Sequence, residues 1–184
     1  LQTISIAQAN TVFKTIEGVL YGVKEGVVTD LYFSPNANAG DENGNVNIPK
    51  TVTKIWDGAF KNNKGIKSIT FKEGIEGTLA LGEEIFYGCS TLQSVQLPEG
   101  LDRISTGMFS SCNALVSVTI PSTVATIELN AFKNCGNLTS ILFAETPEGQ
   151  DAVDLTFVDG TKTGWEFDPT ITSIFSGCEN LKEI

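Results

Sequence analysis

The sequence spacing of the four cysteines limits the kinds of site that they can form. Cys89, Cys112, Cys135 and Cys178 are separated by 23, 23 and 43 residues, so none forms the Cys-x-x-Cys pair common in zinc and redox sites. Each occupies the same inward position of a repeat, where cysteine behaves as a small hydrophobe. We expect buried free thiols, with a disulfide between neighbouring coils or a metal site as alternatives.

Carboxylates are the other groups that could do chemistry. The chain has no histidine, which removes the commonest general base and metal ligand. Glu83 and Glu84 are adjacent, so a regular strand cannot turn both toward one cleft. The register predicts no pocket with two facing carboxylates, which glycosidases require. We therefore predict a protein that is not an enzyme, with no catalytic residues, no metal and no cofactor.

Two acidic segments could bind cations. The insertion after residue 143 carries seven acidic residues against Lys162, and Asp41–Asn47 has oxygen-bearing side chains at alternate positions. The second segment lacks the bidentate glutamate of a calcium-binding loop. A solvated charged loop and an Asn/Gly turn are the competing interpretations.

The two tryptophans are candidate binding residues. Trp56 aligns with Ser105 and Glu128 of later repeats, a position that we expect to face water, and Trp165 lies in the insertion. Exposed tryptophan is enriched among binding hot spots and can stack on sugars. In the alternative interpretation, Trp56 packs on the N-terminal segment and Trp165 attaches the insertion to the rest of the protein.

An internal repeat must position all of these residues. Phenylalanines recur at positions 60, 86, 109, 132 and 175, with leucine or isoleucine six residues later and isoleucine or valine nine residues later. Between them, segments such as Ser94–Leu97 and Ser117–Ile120 alternate polar and apolar residues, which predicts short strands with one buried face. A 23-residue unit cannot bury its own core, but stacked units can. The pattern therefore predicts a right-handed solenoid of about six coils, with short helical turns.

The outward side chains of these strands form the second candidate site. They include Ser94, Gln96, Ser117 and Thr119, which are uncharged and short. Solenoid sheets use such faces to bind ligands. Strand propensity on a wetted surface explains the same residues without a function.

The pattern resembles BspA-type leucine-rich repeats, a family of bacterial surface proteins. The matching residues are Ile48-Pro49, Val52, Ile55, Ala59-Phe60, Ile66 and Ile69, and they recur from Ile120-Pro121 to Ile141. Gly18–Tyr21 is similar to a hairpin that precedes such arrays. The resemblance implies an α/β leucine-rich-repeat solenoid, an extracellular or bacterial cell-surface location, and adhesion to host proteins or other cells.

We predict one domain over residues 1–184. It comprises a strand and an irregular hairpin unit (1–47), regular repeats (48–143), an insertion (144–170) and a truncated final repeat (171–184). Asp159-Gly160 between alternating runs predicts a projecting hairpin in the insertion. Leu1–Ile6 and Leu181–Ile184 both match the strand phase, so we expect a monomer whose exposed ends can self-pair.

The expected function is a non-catalytic interaction module. The partner is a host extracellular-matrix or cell-surface protein, and a carbohydrate-binding module or a structural spacer in a longer array are the alternatives. The formal net charge of −10 argues against nucleic acid and anionic membranes. No apolar run reaches the ~18 residues needed for membrane insertion.

Overall fold

A computed structural model of the chain describes residues 3–35, 39–72, 79–146, 148, 155–157 and 172–184. These residues form a β-solenoid of about five turns with little helix, whereas the sequence predicted about six coils. The elements, in chain order, are β1 (Phe13–Ile16), β2 (Val19–Lys24), β3 (Val27–Phe33), β4 (Asn45–Ile48), β5 (Lys54–Ile55), β6 (Ser68–Phe71), β7 (Ala80–Leu81), β8 (Ser94–Gln96), β9 (Arg103–Ile104), β10 (Ser117–Ile120), β11 (Thr126–Ile127), β12 (Ser140–Phe143), β13 (Thr156–Phe157) and α1 (Thr172–Phe175).

The longer repeat strands form one parallel sheet, which we call the first sheet. Its order is β12-β10-β8-β6-β4, and neighbouring strands pair in the register of the repeat, as Val118 does with Ile141. Inward residues are buried and outward residues are exposed in β8 and β10, which confirms the predicted alternation. The period-2 pattern of the sequence thus fixes which side chains reach the solvent.

The opposite wall of the solenoid consists of two-residue strands, and we call it the second wall. It contains β5 and β7, which extend the sheet of the N-terminal strands, and the separate parallel sheet β13-β11-β9. The strands β1, β2 and β3 form an antiparallel meander, and β3 then pairs parallel to β5. The N-terminal unit therefore joins the second wall directly.

Tight turns connect the second wall to the first sheet, and each is centred on a repeat phenylalanine. In the first four of these turns, the residues two before and two after the phenylalanine adopt a left-handed backbone, for example Gly107 (φ 59°) and Ser111 (φ 62°) around Phe109. The Phe109 N–H donates to Ala131 O of the next coil at 2.8 Å. Backbone hydrogen bonds thus link the coils at the turns as well as in the sheets, which satisfies buried polar groups on every side of the core.

Stacked rings and thiols fill the core at these turns. The five phenylalanine rings stack coil on coil, with centroids 5.4–5.8 Å apart and planes within 20° of parallel. Phe60, Phe86, Phe109 and Phe132 are fully buried. Each cysteine thiol donates to the carbonyl oxygen of a phenylalanine in the preceding coil, at 2.9–3.1 Å.

The first repeat has Asn63 where the later repeats have cysteine. Its buried amide donates to Ser34 Oγ at 3.0 Å and to Pro35 O at 2.7 Å, and its carbonyl oxygen accepts from the N–H groups of Gly65 and Ile66. Val19, Tyr21 and Leu31 of the N-terminal meander are also buried. Asn63 therefore ties the N-terminal unit to the repeats.

Two local expectations differ from the structure or lie beyond it. Residues 3–6 match the strand phase of the repeats but form no strand and pair with none of the described strands. The predicted inserted hairpin falls largely outside the described residues. Within it, Thr156–Phe157 pairs in parallel with β11 and so extends the second wall.

Candidate binding surfaces

The outer face of the first sheet carries two rows of polar side chains. One row contains Ser94 and Ser117, the other contains Gln96 and Thr119, and all four are exposed. The pairing of Thr119 with Gln96 places these side chains on neighbouring strands. At the β4 end, Ser68 Oγ donates to Asn45 Oδ1 at 2.7 Å. The four predicted residues are thus brought together on one uncharged strip of hydroxyl and amide groups.

Trp56 lies on the second wall, beside the N-terminal meander. Its ring stacks on Tyr32 with centroids 5.3 Å apart and planes 15° from parallel, and Phe13 contacts Tyr32 edge-on at 5.7 Å. The ammonium group of Lys54 lies 3.5 Å from the centre of the indole. Trp56 remains 39% exposed, so it packs on the N-terminal unit and also reaches the solvent.

The surroundings of Trp56 correct one expectation about its position in the repeat. Ser105, which aligns with it, is fully buried instead of facing water. A serine is short enough to turn back to the preceding coil, where its hydroxyl donates to Gly82 O at 2.7 Å. The side chain of Glu128 in the next coil binds Thr106 and Arg103 instead. The alignment therefore identifies equivalent positions in the coils, but it does not determine how exposed the side chain at each of them is.

A buried carboxylate supports the aromatic residues. Asp30 is 5% exposed, accepts a hydrogen bond from Thr29 Oγ1 at 2.7 Å and lies 3.0 Å from Lys24 Nζ. Burial opposes its ionisation, but the hydrogen bonds from Thr29, Lys24 and Trp56 and the charge of Lys24 outweigh burial and lower the pKa of Asp30. The sequence analysis missed Asp30 and Tyr32, because the meander that carries them lies outside the repeat.

Trp165, the other aromatic candidate, lies outside the described residues, as do most of the acidic residues of the insertion. Nothing in the structure places them relative to Trp56 or to the first sheet.

The cysteines are free thiols, as predicted. Cys89, Cys112 and Cys135 are buried and Cys178 is half-buried. Burial raises the pKa of Cys89 to about 12 and that of Cys112 well above its usual value. Cys89 and Cys112 are therefore protonated at neutral pH and serve as core side chains.

A cavity of 320 Å³ opens beside the Asp41 loop and is lined by Asp41, Glu42 and Lys67, among others. Asp41 Oδ1 accepts from the N–H groups of Asn43 and Asn45, and Oδ2 accepts from Asn45 Nδ2. Hydrogen bonds from Asn45 are the main cause of the lowered pKa of Asp41. The carboxylate thus stabilises an Asn/Gly turn, which was one of the two interpretations of the Asp41–Asn47 segment.

The described residues contain neither a cluster of metal-binding side chains nor a membrane-spanning helix. No group of three or more His, Cys, Asp or Glu side chains there could hold a metal ion. No helix in the same part of the chain has the length and apolar character that crossing a membrane requires.

Comparison with known protein families identifies the family to which this chain belongs. The model of the BspA type leucine rich repeat region matches residues 33–149 in six copies. The chain belongs to the BspA-type leucine-rich repeat family. Comparison with curated proteins gave no match.

The fold is similar to the solved structures of three bacterial proteins. A leucine rich cell surface protein from Faecalibacterium prausnitzii aligns with a TM-score of 0.67 and 21% identity over 94% of this chain and 38% of its own. The pneumococcal vaccine antigen PcpA aligns with a TM-score of 0.70 and 18% identity, over 99% of this chain and 44% of PcpA. A leucine rich repeat protein from T. pallidum aligns with a TM-score of 0.56 and 20% identity, over 94% of this chain and 78% of the T. pallidum protein. The chain spans less than half of the first two proteins, and these likenesses concern the fold.

Proposed function

We propose that this BspA-type chain is a non-catalytic interaction module of a bacterial cell-surface or secreted protein. It binds a host extracellular-matrix or cell-surface protein through the outer face of the first sheet. The observation that supports this proposal most is the strip formed by Ser94, Gln96, Ser117 and Thr119, which is exposed and uncharged on a chain of net charge −10. An uncharged surface lets a protein partner approach without the cost of desolvating fixed charges.

The backbone beneath this strip suits it for binding. Parallel pairing of β6, β8, β10 and β12 fixes the outward side chains in rows, while the inward residues Val118 and Ile141 are 1% exposed. A rigid surface loses little conformational entropy when it binds. Solenoid proteins bind their partners through extended surfaces of this kind.

Binding to an array of purified extracellular-matrix proteins tests the proposal. Gln96→Arg places a long charged side chain at the centre of the strip without touching the core. Asn113→Arg adds the same charge at an exposed turn position and serves as the control. We expect one or more proteins to bind the wild-type chain and Asn113→Arg but not Gln96→Arg. Equal binding by all three would contradict the role of the strip, and absence of binding across the array would favour a spacer.

Carbohydrate binding is the second candidate function, and the exposed part of Trp56 favours it. Sugars stack on aromatic side chains of this type, and the exposed 39% of Trp56 is the part that a sugar would contact beside Tyr32 and Lys54. A glycan panel followed by tryptophan fluorescence tests it, with Trp56→Phe and Trp165→Phe to assign the signal. A fluorescence change that is kept in Trp56→Phe and lost in Trp165→Phe, or no change with any glycan, would contradict a glycan site at Trp56.

A further inference from the structure

The indole of Trp56 is contacted on both of its faces. Its ring stacks on Tyr32 with centroids 5.3 Å apart, and two rings at this spacing leave no room for another group between them. The ammonium group of Lys54, 3.5 Å from the centre of the indole, therefore lies over the opposite face. The indole N–H donates to the Asp30 carboxylate. The exposed part of Trp56 is thus the edge of the ring around Lys54.

This arrangement limits the kind of sugar that can bind at Trp56. A neutral sugar that stacks on the second face must displace the Lys54 ammonium group and so break its cation–π contact. A sugar with a carboxylate can instead pair with Lys54 while it packs against the edge of the indole. Lys54 is available for such a pair, because no carboxylate of the described residues forms an ion pair with it.

Lys54 and Trp56 lie in the middle of a sheet, where strands flank them on both sides. β5 pairs with β3 and with β7. Lys54 is paired with Ala80, which is exposed, and Gly82 lies beside Trp56, because the Gly82 N–H donates to Ile55 O at 2.8 Å. These two small residues leave the β7 side of Lys54 and Trp56 open to the solvent.

A second cation lies on the other side of Ala80. Arg103 occupies the position in its coil that Lys54 and Ala80 occupy in theirs, and its Nη2 donates to Leu81 O at 2.9 Å. This bond uses one of the five N–H donors of a guanidinium group, and the side chain is 43% exposed. At ~4.8 Å per coil, the backbones of Lys54 and Arg103 are about 10 Å apart. We call the surface between them the basic groove, formed by Lys54, Trp56, Ala80, Gly82 and Arg103.

The carboxylates around the basic groove orient a charged ligand. Those already bonded to other groups of the protein are Asp30 with Lys24, Glu128 with Thr106 and Asp57 with the N–H of Glu83. The side chain of Glu83 is exposed at the turn that follows Gly82. A ligand carboxylate is therefore repelled from the turn and attracted to the opposite end of the groove, where Lys54 and Arg103 lie.

We propose that the basic groove binds a carboxylated sugar, such as a hexuronic acid or sialic acid unit of a glycan. Its carboxylate lies between Lys54 and Arg103, and its ring packs against the edge of Trp56 above Gly82. Salt at physiological strength screens charges beyond ~8 Å, so the groups that line the groove govern the affinity more than the net charge of −10 does. This inference rests on the second candidate function, carbohydrate binding, and names the class of sugar.

Calorimetric titration of the purified chain with matched pairs of sugars tests the proposal. The pairs are trigalacturonic acid with its methyl ester, and sialyllactose with lactose, so that each pair compares an acidic sugar with a neutral counterpart. Lys54→Gln removes the free cation, and Ala80→Gln fills the groove without changing its charge. Lys72→Gln, at an exposed position directly after β6, removes the same charge from the first sheet and is the control.

We expect at least one acidic sugar to bind at least tenfold more tightly than its neutral partner. We also expect at least fivefold weaker binding of that sugar to Lys54→Gln and to Ala80→Gln, and unchanged binding to Lys72→Gln. Equal weakening in Lys54→Gln and Lys72→Gln would assign the effect to net charge and overturn the groove. Unfolding midpoints of the three variants, measured by circular dichroism, verify that the fold is kept.

The neutral sugars separate this inference from the function on which it rests. Equal binding of the acidic and neutral members of each pair would overturn the inference and leave carbohydrate binding intact. Absence of binding by all four sugars would contradict both. The role of the first sheet is tested independently, because the array variant Gln96→Arg lies on the opposite wall of the solenoid from the basic groove.

Discussion

The thiol of Cys112 donates a hydrogen bond to the carbonyl oxygen of Phe86, one coil earlier, at 3.1 Å. The ring of Phe86 in turn stacks on that of Phe109, with centroids 5.5 Å apart and planes 11° from parallel. Each of the four later repeats therefore uses its Phe and its Cys to fix the neighbouring coil. This arrangement explains why both residues recur at the same spacing.

Removing one ring from the stack should destabilise the whole solenoid. Phe109→Ala leaves a cavity between Phe86 and Phe132, and we expect the free energy of unfolding to fall by about 3–5 kcal/mol. Urea unfolding followed by circular dichroism measures this change. A loss below about 1 kcal/mol, as expected for a surface substitution, would show that Phe109 is not a core residue.

The thiols should differ in reactivity according to their burial. Cys89, Cys112 and Cys135 are fully buried, while Cys178 is half-buried. We expect iodoacetamide to alkylate Cys178 first in the native protein and the other three only after unfolding, as mass spectrometry of tryptic peptides would show. Rapid labelling of Cys112 in the folded protein would contradict the packing described for its column.

Gly88 should be more stable than alanine at its turn position, where the backbone is left-handed and Asn62 lies close. Gly88 has φ 71°, and a Cβ there would lie 2.3 Å from Asn62 Oδ1. We expect Gly88→Ala to lower the free energy of unfolding by about 1–2 kcal/mol or more, because an L-residue is strained in this conformation. Gly136→Ala is the matched control, since no atom lies within 4 Å of its added Cβ. Equal unfolding midpoints for the two variants would contradict this account of the turns.

The buried carboxylate predicts a pH dependence of stability. The pKa of Asp30 is lowered from 3.8 in the folded state, so its stabilising effect is present above pH 3.8 and is lost as the pH falls through the folded-state value. We expect Asp30→Asn to be less stable than the wild-type chain at pH 7, with a smaller difference at pH 3. Urea midpoints at both pH values test this. A difference that grows on acidification would have the wrong sign.

The features of the fold that follow from the repeat could be predicted from the sequence. The Phe, Cys and Leu columns have a fixed spacing, so their burial and the outward direction of Ser94, Gln96, Ser117 and Thr119 could be inferred from alignment alone. Stacking makes each column equivalent from coil to coil.

Features that depend on non-repeating segments could not be predicted in this way. The contacts of Trp56 with Tyr32 and Lys54 require the N-terminal meander, whose strands have no counterpart in the other repeats. The burial of Ser105 depends on its own bond to Gly82 O, and a column alignment contains no information about such bonds. Residues 3–6 matched the strand phase, but strand formation also requires a neighbouring strand.

The dissociation constant for the tightest-binding protein of the matrix array tests the central claim most directly. It would be measured by surface plasmon resonance for the wild-type chain, Gln96→Arg and Asn113→Arg. We expect at least a tenfold increase for Gln96→Arg and less than a twofold change for Asn113→Arg. Equal dissociation constants for Gln96→Arg and the wild-type chain would show that the outer face of the first sheet does not bind the partner.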